Sequence, residues 1–261
     1  NNSLSLPCLR ILTSNVILNC NGYSISSTSN RAGVYSNSAN TTVKNCDIDM
    51  GEGYLGFGVF LDGADNSTIF NNTLNNQYSG IDTASSPDNL NISLNNISNT
   101  SDTAMGLSGN NHILRDNIVT FNGYLIVGNV GGIDLGGNNN TLINNTINSN
   151  NQTGIMIGGD YNVINNNTIT YNQRYGIEFD GRPFQNQILN NNLSNNDIAG
   201  AFISITSNTE LINNTFYSNK QTGLYVDGSN NVTIENNDFW NCSSENDVYS
   251  CINVSEINLP Y

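Results

Sequence analysis

The chain has 261 residues, 37% of them apolar and 11% charged, with a formal net charge of −14. Fifty-five residues are Asn, 24 are Gly, and Lys occurs only as Lys44 and Lys220. No apolar run is long enough to cross a membrane, seven basic residues against 21 acidic ones exclude a nucleic-acid surface, and so much Asn and Gly excludes long helices. Disorder is excluded too, because Ile, Leu, Val, Phe and Tyr recur throughout at regular spacing and can build a core.

In chain order, residues 1–14 read as an N-terminal cap or linker, interrupted by Pro7 and Cys8. The repeat region then runs over 15–241, beginning with a partial coil at 15–30. A Gly followed by alternating apolar residues recurs at Gly33, Gly58, Gly80, Gly106, Gly132, Gly154, Gly176, Gly200 and Gly223, spaced 22–26 residues apart. Between these glycines lies a second signature, an apolar residue, Asn-Asn and another apolar residue, as in Leu142-Ile-Asn-Asn-Thr-Ile147. Each unit therefore holds three short strands of period-2 alternation separated by Asn, Gly, Ser and Asp turns. A unit of this size cannot bury its own apolar face, but a stack of copies buries a continuous core. The expected fold is all-β: a single-stranded right-handed parallel β-helix of about nine to ten coils, with three strands in each.

Two residues before the apolar residue that closes the second signature stand Asn72, Asn95, Asn145, Asn167, Asn191, Asn214 and Asn237. They are expected to stack as a ladder at one turn, each amide serving its neighbour's, because Asn tolerates tight-turn backbone and its amides pair in register. Cys46 and Asp116 read as departures from this column.

The closing stretch 242–261 reads as a disulfide-tied cap or a subunit contact. Cys242 and Cys251 are the expected pair there, and two of Cys8, Cys20 and Cys46 are expected to bridge at the other end, with one left over. No CxxC occurs, and the single His112 has no Cys nearby, so a zinc site is not expected. His112 reads as a surface or turn residue, with general-base chemistry as the lesser alternative. Disulfides at both ends suit an extracellular, cell-surface protein, and a chain opening at Asn1 with no visible signal peptide suits a mature exported product. Sixteen Asn-x-Ser/Thr sequons are present, a modest excess over chance in such a chain. Beyond Asn1, the candidate N-glycan acceptors are Asn40, Asn66, Asn71, Asn91, Asn96, Asn99, Asn139, Asn144, Asn151, Asn166, Asn192, Asn213, Asn231, Asn241 and Asn253.

The repeat pattern resembles the right-handed parallel β-helix family, with its carbohydrate-binding and sugar-hydrolase-type repeats. Ser14-Asn-Val-Ile-Leu-Asn-Cys-Asn-Gly-Tyr-Ser-Ile25 and Thr42-Val-Lys-Asn-Cys-Asp-Ile48 look like the first coils of Asn-rich surface proteins of archaea. The resemblance spans residues 11–241 and implies the fold strongly and the function weakly, since this fold hosts lyases, hydrolases, epimerases, adhesins and structural polymers.

Counting two residues on from each Gly gives an outward column: Tyr35, Phe60, Asp82, Ser108, Asp134, Met156, Glu178, Phe202 and Tyr225. Its acids, with Asp180 on the Glu178 strand, are the catalytic candidates (Asp134, Glu178, Asp180) and the calcium candidates (Asp82, Asp134, Glu178, Asp180). Paired carboxylates are the equipment of a glycosidase. The Gly-His-Gly and Arg-x-Lys strings of polygalacturonase-like relatives are missing, however, and Arg182 is expected to pair with Asp160 as a surface ion pair. The column's aromatic residues suit sugar stacking or a subunit contact equally.

The expected function is accordingly non-catalytic: a glycosylated extracellular structural subunit, with no cofactor, that forms a layer, sheath or filament through its β-helix ends or lateral faces. The alternative is a polysaccharide-active enzyme or glycan-binding module.

Overall fold

The computed structural model describes residues 6–28, 31–51, 56–125, 130–241 and 251–255. Three parallel sheets run the length of the molecule, one of eleven strands and two of ten. The order within each sheet advances one coil at a time, so each strand pairs with the equivalent strands before and after it. Sheet 1 begins with Leu9–Ile11 against Val34–Ser36 and ends with Thr222–Asp227 against Ile252–Ser255. Sheets 2 and 3 are built of three-residue strands such as Thr141–Ile143 and Thr146–Asn148. This is the parallel β-helix expected from the repeat, and no helix occurs among the described residues.

The core follows from alternation. The middle residue of each short strand points inward, so Ile69, Ile92, Leu114, Leu142, Ile164, Ile188 and Leu211 form one fully buried column, and Leu74, Ile97, Val119, Ile147, Ile169, Leu193 and Phe216 another. Sheet 1 supplies paired inward columns such as Ile133 with Leu135 and Ile155 with Ile157. Fully burying one such side chain contributes about 1.5–3 kcal/mol, and no single coil could retain it without its neighbours.

The sharp corners use left-handed backbone, with Asn71, Asn144, Asn166 and Asn213 all at φ between 52° and 58°. Asn reaches this region at lower cost than other non-Gly residues. The next residue points inward and forms the ladder. Asn72, Asn95, Asn117, Asn145, Asn167, Asn191 and Asn214 each donate Nδ2–H to the Oδ1 of the next Asn at 3.0–3.1 Å, the last acceptor being Asn237. Asn117 fills the rung that the sequence reading gave to Asp116, which instead occupies the left-handed corner before it (φ 58°). Cys46 ends the column, its N–H donating to Asn72 Oδ1, and its thiol is bridged to Cys20.

Two further polar columns line the other corners. Asn122, Asn150, Asn172, Asn196 and Asn219 repeat the amide-to-amide bonding at 2.9–3.1 Å. In the third, His112, Asn140, Asn162 and Asn186 link by backbone N–H to side chain. His112 is wholly buried there rather than exposed at the surface. Its Nδ1 accepts the Leu90 N–H at 3.2 Å and its Nε2 lies 3.1 Å from Ser108 O, so the neutral Nε2–H tautomer satisfies both contacts. Burial holds its pKa below the usual 6.5. His112 thus takes the place of an Asn.

Cys8 is free and Cys251 is disulfide-bonded. Cys242, its expected partner, lies outside the described residues.

Candidate functional site

The outer face of sheet 1 gathers the acids and aromatic residues singled out from the sequence. Strand register places Tyr35, Phe60, Asp82, Gly106, Asp134, Met156, Glu178, Phe202 and Tyr225 in one outward column. One rung differs from the Gly-based count. Ala104 takes the place of the usual Gly, Met105 and Leu107 point inward, and Gly106 faces out where Ser108 was expected. The apolar alternation of Met105 and Leu107, read without the Gly marker, carries that signal in the sequence.

The consequence is a gap in the column. Gly106 has no side chain, and Asp82 leans over it: a Cβ on Gly106 would lie 3.1 Å from Asp82 Oδ1. Asp134 borders the gap on the other side. Two rungs separate the backbones of Asp82 and Asp134, or about 9.6 Å at the strand spacing of a sheet. Asp102, which the sequence reading did not select, adds its field to both. Burial first, then Asp102 and Asp134, push the Asp82 carboxyl up to about 7, against a hydrogen bond from the Thr83 N–H that favours its ionised form. Burial, then Asp180 and Asp102, raise Asp134.

Glu178 belongs to a different environment. Met156 stands between it and Asp134 in the column. Its Oε2 accepts the Thr153 hydroxyl at 2.7 Å and lies 3.5 Å from Arg174 Nη1. Burial raises its pKa, and Thr153 and Arg174 oppose the rise. Asp180 is exposed two residues on. Asp82 and Glu178 both stand two rungs from Asp134, but Met156 fills the rung before Glu178 while Gly106 leaves the rung before Asp82 without a side chain. Asp160 accepts the Phe184 N–H at 2.8 Å, and the ion pairs among the described residues are Arg174–Glu178 and Lys220–Asp197. Nowhere among the described residues do three His, Cys, Asp or Glu side chains converge in a way that would hold a metal ion.

The aromatic residues form two stacks that flank the acids. Tyr35 and Phe60 lie 6.1 Å apart, and Phe57 stacks on Phe60 at 4.9 Å. On the other side Tyr175, Phe202 and Tyr225 stack at 5.0 and 5.2 Å. An Arg caps each stack, Arg10 over Tyr35 at 5.6 Å and Arg174 over Tyr175 at 5.1 Å. The ring faces are thus largely spent on one another, and the Tyr35 hydroxyl donates to Asp62 Oδ2 at 3.0 Å. Beside the second stack is a cavity of about 200 Å³, bordered by Tyr175, Ile198, Ala199, Gln221, Thr222, Tyr225 and Asn253.

The sequence matches the right-handed β-helix region over residues 8–139 and 131–256, and the chain belongs to that family. Among curated proteins none matches. Solved structures share the fold at low identity. The Dettilon tailspike protein superposes with a TM-score of 0.65 at 16% identity over 94% of this chain. This chain spans only 61% of the tailspike. A mutant of the periplasmic alginate epimerase AlgG gives 0.64 at 11% identity, covering 96% of this chain and 78% of the epimerase. The A-module of the Azotobacter vinelandii mannuronan C-5 epimerase AlgE4 gives 0.61 at 14% identity, covering 94% and 85%.

Proposed function

We propose that the outer face of sheet 1 binds a polysaccharide and hydrolyses it between Asp82 and Asp134. The carrying observation is the empty rung at Gly106, with two carboxyls of raised pKa on its borders. Glycoside hydrolysis with inversion needs one protonated and one ionised carboxyl about 6.5–9.5 Å apart, with room for a water. Asp82, pushed up to about 7, is the acid that protonates the leaving oxygen. Asp134 is the base that takes a proton from the water as its oxygen attacks the anomeric carbon. The two epimerase neighbours, named for alginate and mannuronan, support polysaccharide work on this architecture ahead of a purely structural subunit. An extracellular setting fits the Cys20–Cys46 disulfide. Exposing the protein to a panel of soluble polysaccharides and measuring reducing ends tests the proposal. Turnover that disappears in both Asp82→Asn and Asp134→Asn is the expected result, and undiminished turnover in both sinks it.

A second reading, a subunit stacked end to end and coated with N-glycans, draws on the first coil, where Leu12, Ile17 and Tyr23 are 56%, 65% and 78% exposed. Light scattering across a concentration series tests it, and a strictly monomeric particle counts against it.

A further inference from the structure

The cavity beside the second aromatic stack arises from a change of size within one column. Tyr175, Ala199 and Thr222 occupy equivalent positions on successive sheet 1 strands. The Tyr175 ring stacks on Phe202, while the small, buried Ala199 and Thr222 leave space beside it. Tyr225 and Asn253, neighbours in the outward column, border the cavity, and exposed Gln221 lies at its mouth. Its volume of about 200 Å³ accommodates one pyranose ring and not a longer segment.

No charged side chain lines this space among the described residues. The two cations next in sequence to its lining are committed elsewhere: Arg174 lies over the Tyr175 ring and pairs with Glu178, and Lys220 pairs with Asp197. Amide, hydroxyl and phenol groups against an apolar floor match a sugar that offers hydroxyls and C–H surface. A uronate would need a base to meet its carboxylate, on a chain of net charge −14. The cavity lies on the Asp134 side of the empty rung, about three coils or 14 Å beyond Asp134 at the sheet spacing.

We infer that this cavity is a subsite for one neutral hexose unit, and that the sheet 1 face takes a neutral polysaccharide rather than a polyuronate. The inference rests on the polysaccharide reading of that face. It also separates this chain from its epimerase neighbours, whose names specify alginate and mannuronan.

Calorimetric titration of the full chain carrying Asp82→Asn, with cellohexaose, mannohexaose, maltohexaose and hexamannuronate as probes, tests it. Binding of a neutral hexamer is expected, and hexamannuronate should bind more weakly. Adding Gln221→Trp, which fills the mouth, should weaken that binding about tenfold or more. Asn253→Ala, a smaller change less able to disturb folding, should weaken it in the same direction, and an unchanged unfolding midpoint verifies the fold of each variant. Unaltered affinity in both pocket variants, tighter binding of hexamannuronate, or no binding of any neutral hexamer overturns the inference. Polysaccharide cleavage that is lost in Asp82→Asn but untouched in Gln221→Trp would remove the subsite while leaving the acid pair in place.

Discussion

Asp82 lies across the backbone of Gly106, close enough that a Cβ there would come within 3.1 Å of its Oδ1. Gly106 sits in a strand with no left-handed backbone requirement, and a Gly in that setting normally weakens the strand by roughly 0.5–1 kcal/mol relative to Ala. Gly106→Val should therefore leave stability unchanged or raise it slightly, the Asp82 side chain turning aside to make room. Glycan cleavage should fall by about tenfold or more, a barrier increase of about 1.4 kcal/mol. Denaturant melts and turnover measured on the same preparation separate the two effects.

The pKa shifts set a pH dependence. Asp82, Asp134 and Glu178 are all raised, burial being the largest cause in each. For carboxyls raised on folding, the folded state binds protons more tightly than the unfolded chain. Their favourable contribution is complete below the unfolded value of about 4 and is lost as pH rises through the folded values, about 7 for Asp82. His112, with its pKa lowered, works the other way and costs stability once pH falls below its unfolded value of about 6.5. Thermal melts should show Asp82→Asn flattening the decline between about pH 4 and pH 7, the unfolded and folded values of Asp82. Cleavage should fall as pH passes 7, where Asp82 gives up the proton it must donate.

The ladder should be costliest to break at its middle. Asn167 Oδ1 accepts from both the N–H and the amide of Asn145, and its own amide donates to Leu142 O and Asn191 Oδ1. Asn167→Ala strands several buried groups, at about 1–3 kcal/mol each, so a loss of about 3 kcal/mol or more is expected from equilibrium unfolding. Asn237→Ala, at the half-buried end of the column, should cost clearly less.

His112→Asn should be tolerated within about 1 kcal/mol, because Asn restores the acceptor that the Leu90 N–H needs. His112→Ala removes that acceptor and should cost about 1–3 kcal/mol. Nitrogen chemical shifts of the imidazole should report the neutral Nε2–H tautomer at pH 7. A general-base role would instead make both substitutions equally damaging to turnover with stability unchanged.

The fold was legible because each level of pattern agreed: inward residues at period 2, a Gly at 22–26, and Asn two before the closing apolar residue. Fixed offsets identify two further columns. His112, Asn140, Asn162 and Asn186 each stand two before an inward residue of sheet 2, and Asn150, Asn172, Asn196 and Asn219 each stand three after one of sheet 3. Those columns were written in the spacing. The site was less legible, since it depends on what a rung lacks. Gly106 resembles the marker glycines in sequence, and only strand register shows that it faces outward between two acids. Asp102 precedes the strand and has no place in the periodicity, so its effect on Asp82 and Asp134 emerges only in three dimensions.

The most direct test is a single comparison of reducing-end release from a polysaccharide panel by the parent chain, Asp82→Asn and Asp134→Asn, each verified as folded. Release from a neutral polysaccharide by the parent chain is expected, with a fall of at least about a hundredfold in each variant, the lower range of general acid–base contributions. Release that survives in both variants, or a parent chain that cuts no member of the panel, would contradict it.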